Sequence, residues 1–490
     1  MRSDRRKKVQ ELKNNKFNKA THRWSIVFLL ITIAFTVMMV SSGLLIAKLL
    51  LIIGGVIALL TLMIFPALYS WRFKRSRKII CLVLSVIMSF VYGVGIFYFA
   101  GTLDFFSKIT EIASSIEEYY VVVRDDGSYE KYKDIKGETV YAYDSGEGLE
   151  QAIDIVKDDT DAEVKKKSDL EGLIEDLFTG EKDILLMNSA NHIAVCDSHE
   201  SFGDFTKILK KVKVKCSAKD ISKRVNVTKE SFNVYITGLD TDGDISTTSR
   251  SDVNMIATVN PKTKTVLLTS IPRDYYVEVS GSDGQSDKLT HTGLYGAGTT
   301  VETVENMMGI DMNYYVKVNY ATVKALIDAI DGITVNSDYS FTTHGMDVSM
   351  DFVEGENYLD GEAALAFARE RYSFPDGDFQ RNKNQQAVLK GALKKVTTSS
   401  TLLTKYTSIL NSVEDYLEMN FSPKEIKSLV KMQMRDMKGW SVKTQSITGN
   451  ISDEYMPCYA LNGGYASVVM QDEDSISKAK EKITKVMEER

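Results

Sequence analysis

The chain has 490 residues, 44% of them hydrophobic and 26% charged, which leaves room for a membrane segment and two or three folded units. Its net charge of −6 hides an asymmetry: residues 1–100 hold fifteen Lys and Arg against Asp4 and Glu11, whereas the other 390 hold 45 basic and 64 acidic groups. That acidic portion argues against nucleic acid as a ligand, and five histidines and four scattered cysteines form neither a zinc pattern nor a disulfide framework.

Three apolar runs come first, at 24–40, 49–69 and 79–100. Each approaches the roughly 20 residues that a helix needs to cross hydrocarbon. Three in succession, almost free of charge, argue against buried core helices. A cleaved signal peptide is also excluded, because the first run lacks a small-residue cleavage site and two more follow. Nine basic residues precede the first run, five lie in the connector 71–78 (WRFKRSRK), and the first hairpin has Lys48 alone. This asymmetry predicts a cytoplasmic basic tail (1–23), three transmembrane helices (24–100) and an extracellular remainder.

Residues 105–220 read as an α/β accessory domain, a spacer or recognition module. Strand-like runs stand at 119–123 and 184–187, with helical spacing at 148–156 and 170–177. Cys196 and Cys216 either bridge or stay unpaired; the sequence leaves this open. The basic stretch 207–224 reads as a boundary. Beyond it, 232–239 (FNVYITGL), 253–259 and 265–271 are strand-like. Helical patterns follow at 300–308, 321–330 and 361–371. The fold class expected for 228–475 is α/β, a central mixed β-sheet flanked by helices, followed by a separate C-terminal helix at 476–490.

Beyond residue 100 the chain uses only nine arginines among its 45 basic residues, and five of the nine are Arg250, Arg273, Arg369, Arg371 and Arg381. Arginine differs from lysine in a planar, permanently charged fork that grips two phosphate oxygens at once. Singly, each arginine is best explained by a structural salt bridge. Five beside acidic motifs favour anion binding, with Arg369 and Arg371 sharing a face if their segment is extended.

The segment 238–252 (GLDTDGDISTTSRSD) supplies carboxylates after a strand. It is not a calcium-binding loop, because Ile245 and Ser251 stand where that loop needs Gly and Glu. Asp240 and Asp252, one from each of two neighbouring strands, suit Mg2+, which takes one or two carboxylates and completes its shell with water and phosphate; Asp242 and Asp244 read as a solvated turn. Magnesium and arginines together suit a pyrophosphate. No Ser-His-Asp or Cys-His arrangement competes.

The ordered segments GLDTD, TSRSDVNMIATVNPKTKTVLLTSIPRD, KLTHTGLYGAG and LDGEAALAFARERYSFPDGDFQRNKNQQ resemble the LytR-CpsA-Psr family over residues 232–393. The layout is similar to its streptococcal capsule-type members. The resemblance implies a sheet–helix sandwich holding a polyprenyl-phosphate lipid in an apolar cleft. It implies a Mg2+-dependent phosphotransferase joining capsular polysaccharide or teichoic acid to peptidoglycan. Carried over, Asp240 and Asp252 are the metal carboxylates, and Arg250, Arg273, Lys288, Arg369, Arg371, Arg381 and Gln385 contact the pyrophosphate. Arg273 and Asp378 are the catalytic candidates, with Asp378, Asp274 or a metal-bound alkoxide as the base. Residues 290–293 (THTG) depart from the usual asparagine and small residue after the lysine.

Two other functions fit the same residues. Water in place of a sugar hydroxyl gives a pyrophosphatase acting on the same lipid. A non-enzymatic receptor for lipid-linked polymer, partnering capsule export and regulatory proteins, is the other. Transcriptional regulation fits poorly with an acidic outer domain that has no helix-turn-helix candidate.

Overall fold

A computed structural model describes residues 15–110, 115–199, 201–216, 221–239, 245, 248–344, 349–375, 377–398, 406–413, 416–436, 438–461 and 464–490. The chain forms two compact units, one comprising residues 1–108 with 423–437 and the other residues 109–422 with 438–490.

The first unit contains helices α1 (Lys16–Ser42), α2 (Ala47–Tyr69) and α3 (Arg75–Thr110). All three are long and apolar enough to cross a membrane. The third runs beyond the predicted 79–100 at both ends, because the polar residues flanking the apolar run continue the same helix. Polar side chains join the helices: Trp24 Nε1 donates to Ser85 Oγ at 2.7 Å, and Lys78 Nζ donates to Asn18 Oδ1 at 2.9 Å. Large apolar side chains such as Leu51 and Phe90 face outward.

In the second unit a five-stranded sheet comes first. It contains β1 (Ser115–Arg124), β2 (Thr139–Tyr143), β3 (Glu163–Lys167), β4 (Ile184–Asn188) and β5 (Thr206–Cys216), in the order β3-β2-β4-β1-β5. Helices α4 (Leu149–Thr160) and α5 (Leu170–Thr179) bury Ile153, Val156, Leu173 and Leu177 against it, and α6 (Ser189–Ser198) follows β4. The predicted boundary at 207–224 is corrected here, since most of its basic part is β5, an edge strand antiparallel to β1. Val212, Val214 and Cys216 point into the core, and Lys211, Lys213 and Lys215 alternate outward. Lysines on an exposed edge discourage pairing with another chain, and they hid the alternation of a strand behind a polar composition. Cys196 and Cys216 are both free thiols.

The central sheet has six strands. It contains β6 (Phe232–Leu239), β7 (Ser251–Asn260), β8 (Thr265–Ile271), β9 (Tyr314–Val318), β10 (Leu417–Met419) and β11 (Ser441–Ser446), in the order β10-β9-β6-β7-β8-β11. β9 runs parallel to β6 and β11 parallel to β8, whereas β7 is antiparallel to both its neighbours. The sheet is therefore mixed, as expected. Helices α7 (Ala297–Met308), α8 (Tyr320–Ala329), α9 (Gly361–Arg369) and α10 (Asp378–Thr398) cover it. One core gathers Tyr235, Ile256, Val301 and Val304; another gathers Ile327, Phe367, Val388 and Ala392.

The C-terminal helix α11 (Glu473–Glu488) belongs to the first of these cores and is not a separate element. Its charged composition disguises a buried stripe of Ile476, Ala479, Ile483 and Val486 at spacings of three and four. Asn260, at the end of β7, donates through Nδ2 to Val486 O and Glu489 O, so it holds the orphan carbonyls of the helix end. Ile483→Ala should therefore lower unfolding free energy by about 2–5 kcal/mol in urea titration, a loss that a detached helix would not show.

Candidate active site

The strand ends assemble the site. β6, β8 and β9 end at the same edge of the sheet, and antiparallel β7 begins there, with Leu239 opposite Ser251. Asp252, the second residue of β7, and Arg273 and Asn319, just beyond β8 and β9, line one cavity of about 310 Å3 together with Arg369, Arg371 and Arg381. Gln385 also lines it, and Leu239, Val253, Val318 and Val323 supply apolar wall. The carboxyl edge of parallel strands is where open α/β sheets bind ligands.

Arg273 is the centre of the charge network. Its Nη1 donates to both oxygens of Asp252, at 3.0 and 2.9 Å, and its Nε lies 3.6 Å from Asp274 and 3.5 Å from Asp378. Burial opposes the guanidinium charge, but the charges of Asp252, Asp274 and Asp378 outweigh it and raise the pKa. Asp378, the first residue of α10, also approaches Arg381 at 3.3 Å and Arg371 at 3.8 Å. Arg381 has the opposite balance: burial lowers its pKa, and nearby Arg273 and Arg371 add to that against the pull of Asp378 and Asp252.

Three buried guanidinium nitrogens, Arg273 Nε and Arg381 Nε and Nη2, have no hydrogen-bond partner among the described residues. Buried donors in native proteins are nearly always satisfied. Unsatisfied ones lining a cavity mark a place for an anion. The ion pairs around them lie at 3.3–3.6 Å, long enough to be exchanged for shorter contacts to phosphate oxygens.

Arg369 and Arg371 reach the cavity differently from the expected extended pair. Arg369 closes α9, Glu370 caps it, and Arg371 follows in a turn. The Arg369 guanidinium sits over the Tyr320 ring at 4.2 Å, and Arg371 over Tyr372 at 4.7 Å. Buried Glu370 accepts from the backbone N–H of His344 and Ser373, which shapes the turn.

Arg250 and Lys288 do not line this cavity. They line a neighbouring one of about 220 Å3 that shares Arg273 with it and includes Asp274, Thr290 and His291. Lys288 Nζ lies 3.5 Å from Asp274. Of the predicted metal pair, Asp252 is at the junction and also accepts from Thr290 Oγ1 at 3.1 Å; Asp240 lies outside the described residues. Thr290, Tyr320 and Tyr372 are site residues that sequence reasoning missed. The signal for Thr290 was present, because it follows Lys288 in the same motif. Gly293, closing that motif, has no room for a side chain: a Cβ there would lie 2.5 Å from Ser249 O and 2.7 Å from Ser251 N. Glycine thus lets the motif press against the segment bearing Arg250 and Asp252.

These features define an α/β domain with an arginine-lined anion cavity at a sheet edge, preceded by three membrane-length helices. The LytR_cpsA_psr family model matches residues 200–485. The chain belongs to this family. A polyisoprenyl-teichoic acid–peptidoglycan teichoic acid transferase TagU of Enterococcus faecalis is 39% identical over 204 residues, 41% of this chain and 65% of the relative. The chain thus spans just under two thirds of that protein. The protein of the same name from Bacillus licheniformis is 35% identical over 258 residues, covering 50% of this chain and 79% of the relative. The crystal structure of B. subtilis TagU aligns with 54% of this chain and 99% of its own, at 30% identity and a TM-score of 0.41.

Asp378 occupies the guanidiniums that an incoming anion would use. Asp378→Asn should therefore tighten inorganic pyrophosphate binding about tenfold, or ~1.4 kcal/mol, in calorimetric titration, while lowering the unfolding temperature of the ligand-free chain.

Proposed function

We propose that this chain is a phosphotransferase that moves a glycopolymer from polyprenyl pyrophosphate to peptidoglycan at the outer face of the membrane. The observation that carries the proposal is the set of unsatisfied Arg273 and Arg381 donors beside Arg369 and Arg371 in one partly apolar cavity. A pyrophosphate joined to a prenyl chain needs both halves of that lining. Relatives named as teichoic acid transferases support the same reaction class. The excess of Lys and Arg in the first 23 residues and in connector 71–78 supports an outward-facing catalytic domain.

In the proposed reaction an acceptor hydroxyl oxygen attacks the phosphorus that carries the polymer. The bond from that phosphorus to the bridging oxygen breaks, polyprenyl phosphate leaves, and a phosphodiester to the wall forms. Arg273 and Arg381 hold the phosphate oxygens on which negative charge grows, and Arg369 and Arg371 hold their outer side. Fixed donors aimed at developing charge lower the barrier without reorganising.

The oxygen donors at the junction, Asp252 and Thr290, suit Mg2+ as a hard cation. Asp252, with Asp240, would hold it, and it would neutralise phosphate charge there. Among the described residues no group of three or more His, Cys, Asp or Glu forms a metal cluster. Capsular polysaccharide and teichoic acid present the same phosphate chemistry, and the sugar lies beyond it.

The test uses the full-length chain in lipid nanodiscs with labelled lipid-linked polymer and peptidoglycan. Wild-type protein should form wall-bound polymer, and Arg273→Ala or Asp252→Ala should reduce the rate by about 10²–10³-fold. Free phosphopolymer with no wall-bound product would show hydrolysis instead. Wild-type rates in both variants would defeat the enzymatic reading and leave a lipid-polymer receptor.

A further inference from the structure

Between β11 and α11 stands a ribbon of short strands that the reaction above does not use. Its strands are β12 (Gly449–Ile451), β13 (Met456–Pro457), β14 (Tyr465–Ala466) and β15 (Val469–Gln471). β12 pairs antiparallel with β15 and β13 with β14, and Ser452 N–H donates to Val468 O at 2.9 Å between the two pairs. Three hydrogen bonds pin the ribbon beside the second cavity. Val469 N–H donates to Asp274 O at 2.8 Å, Tyr459 N–H to Ser286 O at 3.0 Å, and Tyr276 Oη to Pro457 O at 2.8 Å.

Alternation along the paired strands gives the ribbon two faces. Met456 and Ala466 lie opposite each other and pack inward with Leu461 and Val468. Ala466 and Leu461 also form wall of the cavity of about 220 Å3. The next pair, Pro457 and Tyr465, is exposed, as is Tyr455 two residues before Pro457. Tyr455 and Tyr465 each keep 66% of their surface in water. Among the described residues of the second unit ten large hydrophobic side chains are exposed, and four of them, Ile451, Tyr455, Tyr465 and Met470, stand on this ribbon. Exposed apolar side chains scattered singly are ordinary, but a concentration of them on a pinned backbone marks an interaction surface.

Charge decides which partner fits. Residues 449–471 contain Asp453 and Glu454 but no Lys or Arg, in a chain that has 60 of these basic residues. Both acids are exposed. Such a surface repels an anionic bilayer or a phosphate-bearing polymer, and it accepts a neutral polysaccharide. Sugar rings present flat C–H faces to an aromatic ring and hydroxyls that donate to carboxylates. Tyrosine supplies this contact area at low conformational-entropy cost. Tyr465 is the chain neighbour of Ala466, so a polymer lying over the exposed face brings its next units beside the second cavity. That cavity shares Arg273 with the phosphate site.

We infer that Tyr455 and Tyr465 form a docking surface for the acceptor, the glycan strand of peptidoglycan, and lead its hydroxyl toward Arg273 through the second cavity. This assignment rests on the transferase reading and names the surface that selects its acceptor. The two rings hold sugars away from the reacting atoms, so they set acceptor affinity and leave the chemical step to the arginines.

The experiment compares full-length wild type in nanodiscs with the paired variants Tyr455→Ala/Tyr465→Ala and Tyr455→Phe/Tyr465→Phe. Peptidoglycan stripped of attached polymers serves first as a sedimentation probe, without lipid donor. The alanine pair should weaken co-sedimentation about tenfold, and the phenylalanine pair should stay within about threefold of wild type because its ring faces remain. In the transfer assay the alanine pair should raise the acceptor KM about tenfold, with kcat and donor KM within about twofold of wild type. Unchanged co-sedimentation and acceptor KM in the alanine pair would overturn the inference. So would an altered donor KM that follows the anionic lipid content of the disc, which would assign the rings to the membrane. Loss of a wild-type dimer in the alanine pair, with glycan binding intact, would overturn it in favour of a second copy of the chain. Wild-type protein that binds peptidoglycan through these tyrosines but transfers no polymer would overturn the transferase reading and support the docking surface.

Discussion

The site depends on one half-buried cation, the Arg273 guanidinium, kept charged by carboxylates that do not fully satisfy it. A guanidinium removed from water costs several kcal/mol unless charge and hydrogen bonds replace the solvent. Asp252 does so with two short contacts, whereas Asp274 and Asp378 remain at 3.5–3.6 Å from Nε. The pair with Asp252 fixes the fork in position. The loose partners keep Nε charged but available. Were all three contacts short, an incoming phosphate would have to break them; were none present, the arginine would turn toward solvent.

The sheet explains why such a balance can be held. Asp252 and Arg273 lie at the adjoining ends of neighbouring strands β7 and β8, where Asn254 pairs with Ile271. Their separation is therefore set by the hydrogen-bond ladder and not by a loop. Close approach tightens the same corner. Gly238 faces the Val253 side chain, and Gly293 lies against the backbone of Ser249 and Ser251. α10 then brings Asp378 and Arg381, three residues apart on one helical face. A ladder, a close-packed turn and a helix face thus converge on one charge cluster, and rigid supports of this kind keep catalytic donors aimed.

Much of this was legible in the sequence because scarcity carries information. A chain that uses lysine freely on its surface and arginine in few places reveals where planar donors matter, and four of the five singled-out arginines line one cavity. The strands of the central sheet were equally visible, since fully buried β-branched runs such as 265–271 leave little ambiguity. What failed to show was anything decided by long-range partners. Lys211, Lys213 and Lys215 disguised an edge strand, and the charges of α11 disguised a core helix. The division of the cationic residues into two cavities was also invisible. Arg250 and Lys288 belong to the same motif set as Arg273, and only tertiary placement assigns them to the far side of it. Tyr320 and Tyr372 escaped notice because an aromatic ring under a guanidinium has no sequence spacing of its own.

The accessory sheet acquires a structural reason from the same geometry. Helix Ser189–Ser198, which follows β4, buries Ala190 and Ala194 against Leu294, Cys458, Ala460 and Leu461. Ala460 donates its backbone N–H to Asp287, and Leu294 follows Gly293. The module therefore rests on the outer wall of the second cavity, which a simple spacer would have no reason to do. Small residues at this contact let the helix backbone approach closely, and close-packed interfaces transmit displacement instead of absorbing it. A domain packed there supports the loop that holds the Asp287 carboxylate. The position of the accessory sheet and the order of the second cavity are one packing problem.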